Sequence, residues 1–188
     1  QASIWGVRTQ TTGSGGQPAR TMNGLRAMLT SNVNILGANI SNTFFLDTLT
    51  PLFDFNAGGA GDQRVCFLGN SALNAIQRMI VGSSGFQLKY EGEVTFYGLN
   101  LLKYRTPQGT FFLKTHPLFN QDPVYTKSML VINGKGIIRR PIKGRDTKIQ
   151  TNIQANDADM RKDQWLTEMG LEVQFERTMG YYGNISYT

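Results

Sequence analysis

Trp165-Leu166-Thr167-Glu168-Met169-Gly170-Leu171-Glu172-Val173-Gln174-Phe175-Glu176-Arg177 alternates with almost no slip. Odd positions carry Trp165, Thr167, Met169, Leu171, Val173 and Phe175. Even positions carry Glu168, Glu172, Gln174 and Glu176, interrupted only by Leu166 and Gly170. Successive strand side chains point to opposite faces. The pattern therefore predicts one long strand with its odd face buried in the core and an acidic face in water.

Working outward, short apolar runs with strand character occupy 64–68, 86–90, 94–97, 99–104, 110–114 and 129–132, with Pro107-Gln108-Gly109 as a turn. Gly69-Asn70-Ser71 caps a helix over 71–81 whose face is Ala72, Leu73, Ile76, Met79 and Ile80. A shorter stripe, Met22, Leu25, Met28 and Leu29, follows Thr21 as a possible cap. Phe45, Leu49, Leu52 and Phe53 suggest helix from Thr43, but Pro51 fits better at the first turn of a new one. Residues 11–19 and 56–62 are Gly-rich loops, 134–145 is basic and turn-rich, and 147–163 is polar with little periodicity. Together these predict an α+β chain of mostly antiparallel short strands and a few short helices.

A chain of 188 residues can bury about 70% of its unfolded surface. Only 17% of residues are charged, low for a lone soluble monomer, so much of the surface is expected to meet a partner. The apolar runs Phe44-Phe45-Leu46 and Phe111-Phe112-Leu113 point the same way. Nineteen Lys and Arg against 13 Asp and Glu give +6, which suits nucleic acid or an acidic neighbouring subunit. No apolar run is long enough to span a bilayer.

The candidates for chemistry are weak. Cys66 is the one cysteine and His116 the one histidine, which excludes an intrachain disulfide and a two-histidine metal motif. Cys66 sits in an apolar strand and reads as buried and structural; His116 reads as a hydrogen-bonding residue at a turn. Gly13-Ser14-Gly15-Gly16 and Gly58-Gly59-Ala60-Gly61 lack the Gly-Lys-Ser/Thr ending of a phosphate loop. Asp157 and Asp159 supply too few oxygens for a cation site. No catalytic group, cofactor or metal is implied.

The segment 135–148 is richer. Lys135, Arg139, Arg140, Lys143, Arg145 and Lys148 crowd around a single acid, Asp146. On one strand Arg139 and Arg140 point to opposite faces, so they cannot serve one flat phosphate track. The favoured reading is a subunit-contact arm whose guanidinium groups meet Glu168, Glu172 or Glu176 on a neighbour. A solvated basic loop and a nucleic-acid contact are the alternatives; interleaved aromatics, usual for the latter, are missing.

The 165–177 stretch, with Met179-Gly180-Tyr181 and Asn184-Ile185 after it, resembles the closing strand of tailed-bacteriophage major capsid proteins with the Hong Kong 97-type fold. Arg20-Thr21-Met22-Asn23-Gly24-Leu25 is similar to their Arg-Thr-x-x-Gly-Leu motif. Leu49-Thr50, the run from Arg64 to Ala72, Tyr97-Gly98 and His116-Pro117 recur in the same order.

The resemblance implies a Hong Kong 97-like α+β fold with axial and peripheral domains. Residues 1–43 would be a peripheral-domain remnant, 44–147 the axial domain near capsomer centres, and 148–188 the return to the peripheral domain. The N-terminal arm, extended loop and spine helix are expected to lie outside these residues. It also implies a non-enzymatic virion protein, assembled in the host bacterial cytoplasm into hexamers and pentamers of an icosahedral head. Packaged double-stranded DNA, contacted non-specifically, and decoration or portal proteins would be its other partners; no membrane is involved. A cellular nanocompartment shell of the same fold, a basic nucleic-acid-binding module and an enzyme built around His116 are the competing readings.

Overall fold

The computed structural model describes residues 2–13, 16, 18–41, 43–55, 62–82, 89–96, 99–157 and 159–187. The first half contains α1 (Ala2–Trp5), β1 (Gln10–Thr12), β2 (Pro18–Arg20), α2 (Leu25–Met28), β3 (Val33–Ile35), α3 (Phe44–Asp47), β4 (Gln63–Leu68) and α4 (Asn70–Gly82). Then come β5 (Lys89–Phe96), β6 (Leu99–Arg105), β7 (Thr110–Thr115), α5 (Pro117–Asn120) and β8 (Met129–Ile132). The last part holds β9 (Ile137–Pro141), β10 (Lys148–Gln150), β11 (Gln164–Leu166), β12 (Met169–Val173) and β13 (Gly180–Gly183).

Seven strands form the central sheet in the order β3-β13-β8-β4-β7-β6-β5. Its pairs are antiparallel except β4 with β7 and β13 with β3. β4 lies mid-sheet and is covered on both sides, which is why 64–68 reads as a continuous apolar run. Cys66 and Leu68, with Val131, Met129 and Leu113 beside them, pack with Ala72, Ala75, Ile76 and Met79 of α4 and Phe44 and Phe45 of α3. Leu130 and Tyr181, paired across β8 and β13, pack instead with Ile4, Leu29 and Phe119. Each fully buried side chain of this kind stabilises by roughly 1.5–3 kcal/mol.

The spacing of 72, 75, 76 and 79 explains α4, the longest helix among the described residues. Gly69, just before it, runs so close to the Thr126 backbone that a Cβ there would collide with it. The sharp step from β4 into α4 requires that approach. Pro51 opens a 3-10 turn at Thr50–Leu52, and the helix beginning after Thr43 is only the four residues of α3.

Several expectations need correction. Phe44, Phe45, Phe111, Phe112 and Leu113 are not surface awaiting a neighbour; the chain buries them itself. Thr21 does not cap α2, whose N-cap is Gly24. The Thr21 hydroxyl donates to Val7 O at 2.9 Å and accepts from Thr9 N at 2.8 Å, while Asn23 Oδ1 accepts from Arg8 N at 2.7 Å. A Cβ on Gly24 would fall 2.6 Å from the Ile4 carbonyl. The Arg-Thr-x-x-Gly-Leu run is thus a clasp for residues 4–9. Residues 33–35 supply edge strand β3. The two strands expected at 86–90 and 94–97 meet in one, β5; 83–88 and 97–98 lie outside the described residues, as do 14–15, 17 and 56–61 of the Gly-rich loops.

The principal correction concerns 165–177. It is not one strand with a buried odd face. β11 and β12 are separated opposite a turn in the facing chain, where Arg145 N donates to Ile142 O at 2.9 Å and Glu168 N to Arg145 O at 2.9 Å. β12 stops at Val173, because Phe175 adopts a left-handed conformation at φ 55° and leads into a 3-10 turn at Glu176–Thr178. Trp165, Met169 and Phe175 are exposed; Leu171 and Val173 are half-buried.

Candidate assembly interface

β9 pairs with β12, and β10 with β11, both antiparallel. Glu168 bridges the two ladders, and Ile153 N donates to Lys162 O at 3.0 Å beyond them. Among the described residues, 137–157 and 159–173 therefore form one two-stranded ribbon that no strand of the seven-stranded sheet joins. A lone two-stranded ribbon is marginal in water, and its root gains support where Ile137 and Val173 pack beneath the sheet.

The ribbon gathers most of the charged residues singled out in the sequence. Arg140 lies diagonally across from Glu172 and holds it with two hydrogen bonds, Nε to Oε2 and Nη2 to Oε1. Arg145 pairs with Glu168, and Arg139 with Asp146. The Arg140 guanidinium, followed by the Gln174 amide, holds the Glu172 carboxyl below the usual carboxylate range. For Asp146 the Thr147 N–H does most of this, with Arg139 adding to it. Glu168 and Glu172, expected to meet arginines of a neighbour, thus have arginines of their own chain. Exposed pairs of this kind add little to stability, so their main effect is to set the ribbon's register.

The remaining candidates are dispersed. Lys148 Nζ donates to Gly144 O at 3.0 Å, Lys143 is exposed, and Lys135 lies in a 3-10 turn at the ribbon root. Glu176 is off the ribbon altogether and accepts hydrogen bonds from Thr30 and Ser31. His116 caps α5, its Nδ1 accepting from Leu118 N at 3.2 Å. Cys66 is fully buried, and burial pushes its thiol pKa up. Among the described residues no three His, Cys, Asp or Glu side chains converge as a metal site.

Sequence reasoning placed Trp165 and Met169 in the core and passed over Ile142, Ile149 and Met160. Ile142, Ile149, Met160, Trp165 and Met169 are all exposed, with Trp165 at 73% and its cross-strand partner Ile149 at 51%. The alternation over 165–177 signalled two unlike faces; nothing in it said that this chain leaves much of the apolar one exposed. A monomer seldom strings so many large apolar side chains along one arm.

A family model described as SU10 major capsid protein matches residues 1–186. The chain belongs to that family. No curated protein matches it significantly. The SU10-type chain is accordingly a structural protein of a bacteriophage virion, and it assembles in many copies into the capsid shell. No described helix is long and apolar enough to cross a membrane. In a shell, an arm with exposed apolar side chains has neighbours within reach.

Proposed function

We propose that the chain is the non-enzymatic building block of an icosahedral head enclosing double-stranded DNA, with the Hong Kong 97-type arrangement. In this reading 44–147 forms the axial part of each subunit, its sheet completed by β3 and β13, while the rest of 1–43 and 148–188 forms the peripheral part. Hexamers and pentamers are the assembly units, and decoration or portal proteins bind the finished shell. The net charge of +6 favours sequence-independent contact with packaged DNA through its phosphates.

The observation that carries the reading is the ribbon 137–173, which leaves the sheet with both faces largely in water. We assign it the role of subunit-contact arm. Its arginines, with Lys135, Lys143 and Lys148, form the polar part of the contact, and Glu168 and Glu172 keep the arginines oriented. Charge reversal at Arg139 and Arg140 in the full-length protein tests this, with the swapped pair Arg140→Glu, Glu172→Arg as control. Particle yield should fall for the double reversal while the thermal midpoint of the unassembled subunit changes by only a few degrees. Normal particles from the double reversal would remove the arm from the assembly mechanism.

A further inference from the structure

Beside the ribbon root, the end of β2 and the following residues leave a groove of about 610 Å³. Its walls are Arg20 and Met22 on one side and Ile142 and Met169 on the other, with the Arg145–Glu168 pair at its rim. Two thioethers, an isoleucine and a guanidinium are a suitable lining for an aromatic ring. Methionine sulfur and arginine both make favourable contacts with aromatic side chains.

The same chain carries such a ring in the open. Trp165 is the most exposed large apolar side chain on the ribbon and shares a face with Ile149. It does not line the groove of its own chain. The pairing of β11 with β10 fixes the backbone at Trp165. We propose that Trp165 of one copy inserts into the Arg20–Met22–Met169 groove of a second copy. This rests on the shell reading above, which places many copies of one chain in contact, and it names the residues of one such contact. The knob lies on the ribbon and the groove between the ribbon and residues 20–22 of the same chain, so two copies related by a two-fold axis can exchange their tryptophans reciprocally. The ribbon's arginines, held in place by acids of their own chain, supply the polar part of the contact, and its exposed apolar side chains supply the dry part.

Three full-length proteins test the exchange: wild type, Trp165→Ala, and a Met22→Cys, Ile149→Cys pair that keeps Trp165 and puts one thiol at its cross-strand neighbour. Native Cys66 is buried and leaves the engineered thiols as the reactive ones. Trp165→Ala should lower particle yield at least tenfold while the circular dichroism of the unassembled subunit stays unchanged. Oxidised particles of the cysteine pair should yield covalently linked copies on a non-reducing gel. Normal yield from Trp165→Ala, with no cross-link in well-formed particles, would overturn the proposal and leave the capsid role intact. A tryptophan buried only after another virion protein is added would also overturn it. Wild-type protein that sediments solely as a monomer would overturn both.

Discussion

Glu176 accepts hydrogen bonds from both the backbone N–H of Ser31, at 3.2 Å, and its hydroxyl, across 145 residues of sequence. The Thr30 hydroxyl adds another at 2.9 Å. Nearby, Asn32 Nδ2 donates to the carbonyls of Arg177 and Met179. These contacts fasten the strand that begins at Val33 to the turn that leads into β13. Burial pushes the Glu176 carboxyl pKa up, but the bonds from Ser31 and Thr30 together bring it below its ordinary value of 4.5.

A carboxyl depressed in the folded state contributes stability above its unfolded pKa and loses it as pH falls through the folded value. Glu176, Glu172 and Asp146 all shift in this direction. Stability should therefore hold near neutrality and decline as pH drops below about 4.5. Glu176→Gln should cost about 1 kcal/mol at neutral pH and make the acid decline shallower. Urea melts of both proteins across the acid range would check this; parallel pH profiles would show that Glu176 has no part in it.

Arg64 is 1% exposed and lies on the core side of β4. Its Nε donates to Thr178 O at 3.1 Å and its Nη2 to Leu52 O at 2.9 Å, while the guanidinium carbon sits 4.7 Å from the centre of the Phe53 ring. One side chain thus ties the Thr50–Leu52 turn to the Glu176–Thr178 turn. Arg64→Ala leaves buried carbonyls without donors and opens a cavity, a loss of about 3 kcal/mol. Arg64→Lys should recover little of it, because an ammonium cannot reproduce the planar fork. Chemical denaturation measures both, and near-wild-type midpoints would contradict the tie.

Phe175 is 48% exposed with φ at 55°, a conformation that costs a residue with a Cβ roughly 1–2 kcal/mol. Phe175→Ala should therefore lose little, far short of the ~3–5 kcal/mol of a buried phenylalanine. Phe175→Gly should be the more stable of the two by about 1 kcal/mol, since glycine adopts this backbone freely. Thermal melts of the pair decide the matter; a glycine variant weaker than the alanine one would rule out backbone strain at this position.

The parts of the fold legible in the sequence are those that one layer of packing determines. The stripe at Ala72, Ile76 and Met79 specified α4, and the runs at 64–68, 110–114 and 129–132 became β4, β7 and β8. Cys66 and His116 took the structural roles that their neighbours in sequence suggest. The ribbon was harder to see. Alternation marks two unlike faces, but it does not say whether the apolar one meets the chain's own core or another molecule. In Trp165 and Met169 the periodicity of a buried strand sits on an exposed one, and in Phe175 it runs past the strand's end. The left-handed turn at Phe175 has no glycine or asparagine to announce it. The partners of Glu176 and Arg64 lie far along the chain and leave no local trace.

Electron microscopy of the native assembly bears most directly on the role assigned to this chain. A shell subunit built in this way should give closed icosahedral particles in which each copy keeps the seven-stranded sheet and lays residues 137–173 against a neighbour, with Trp165 covered. Particles whose ribbons extend into solvent, or a native protein found only as single chains, would contradict it.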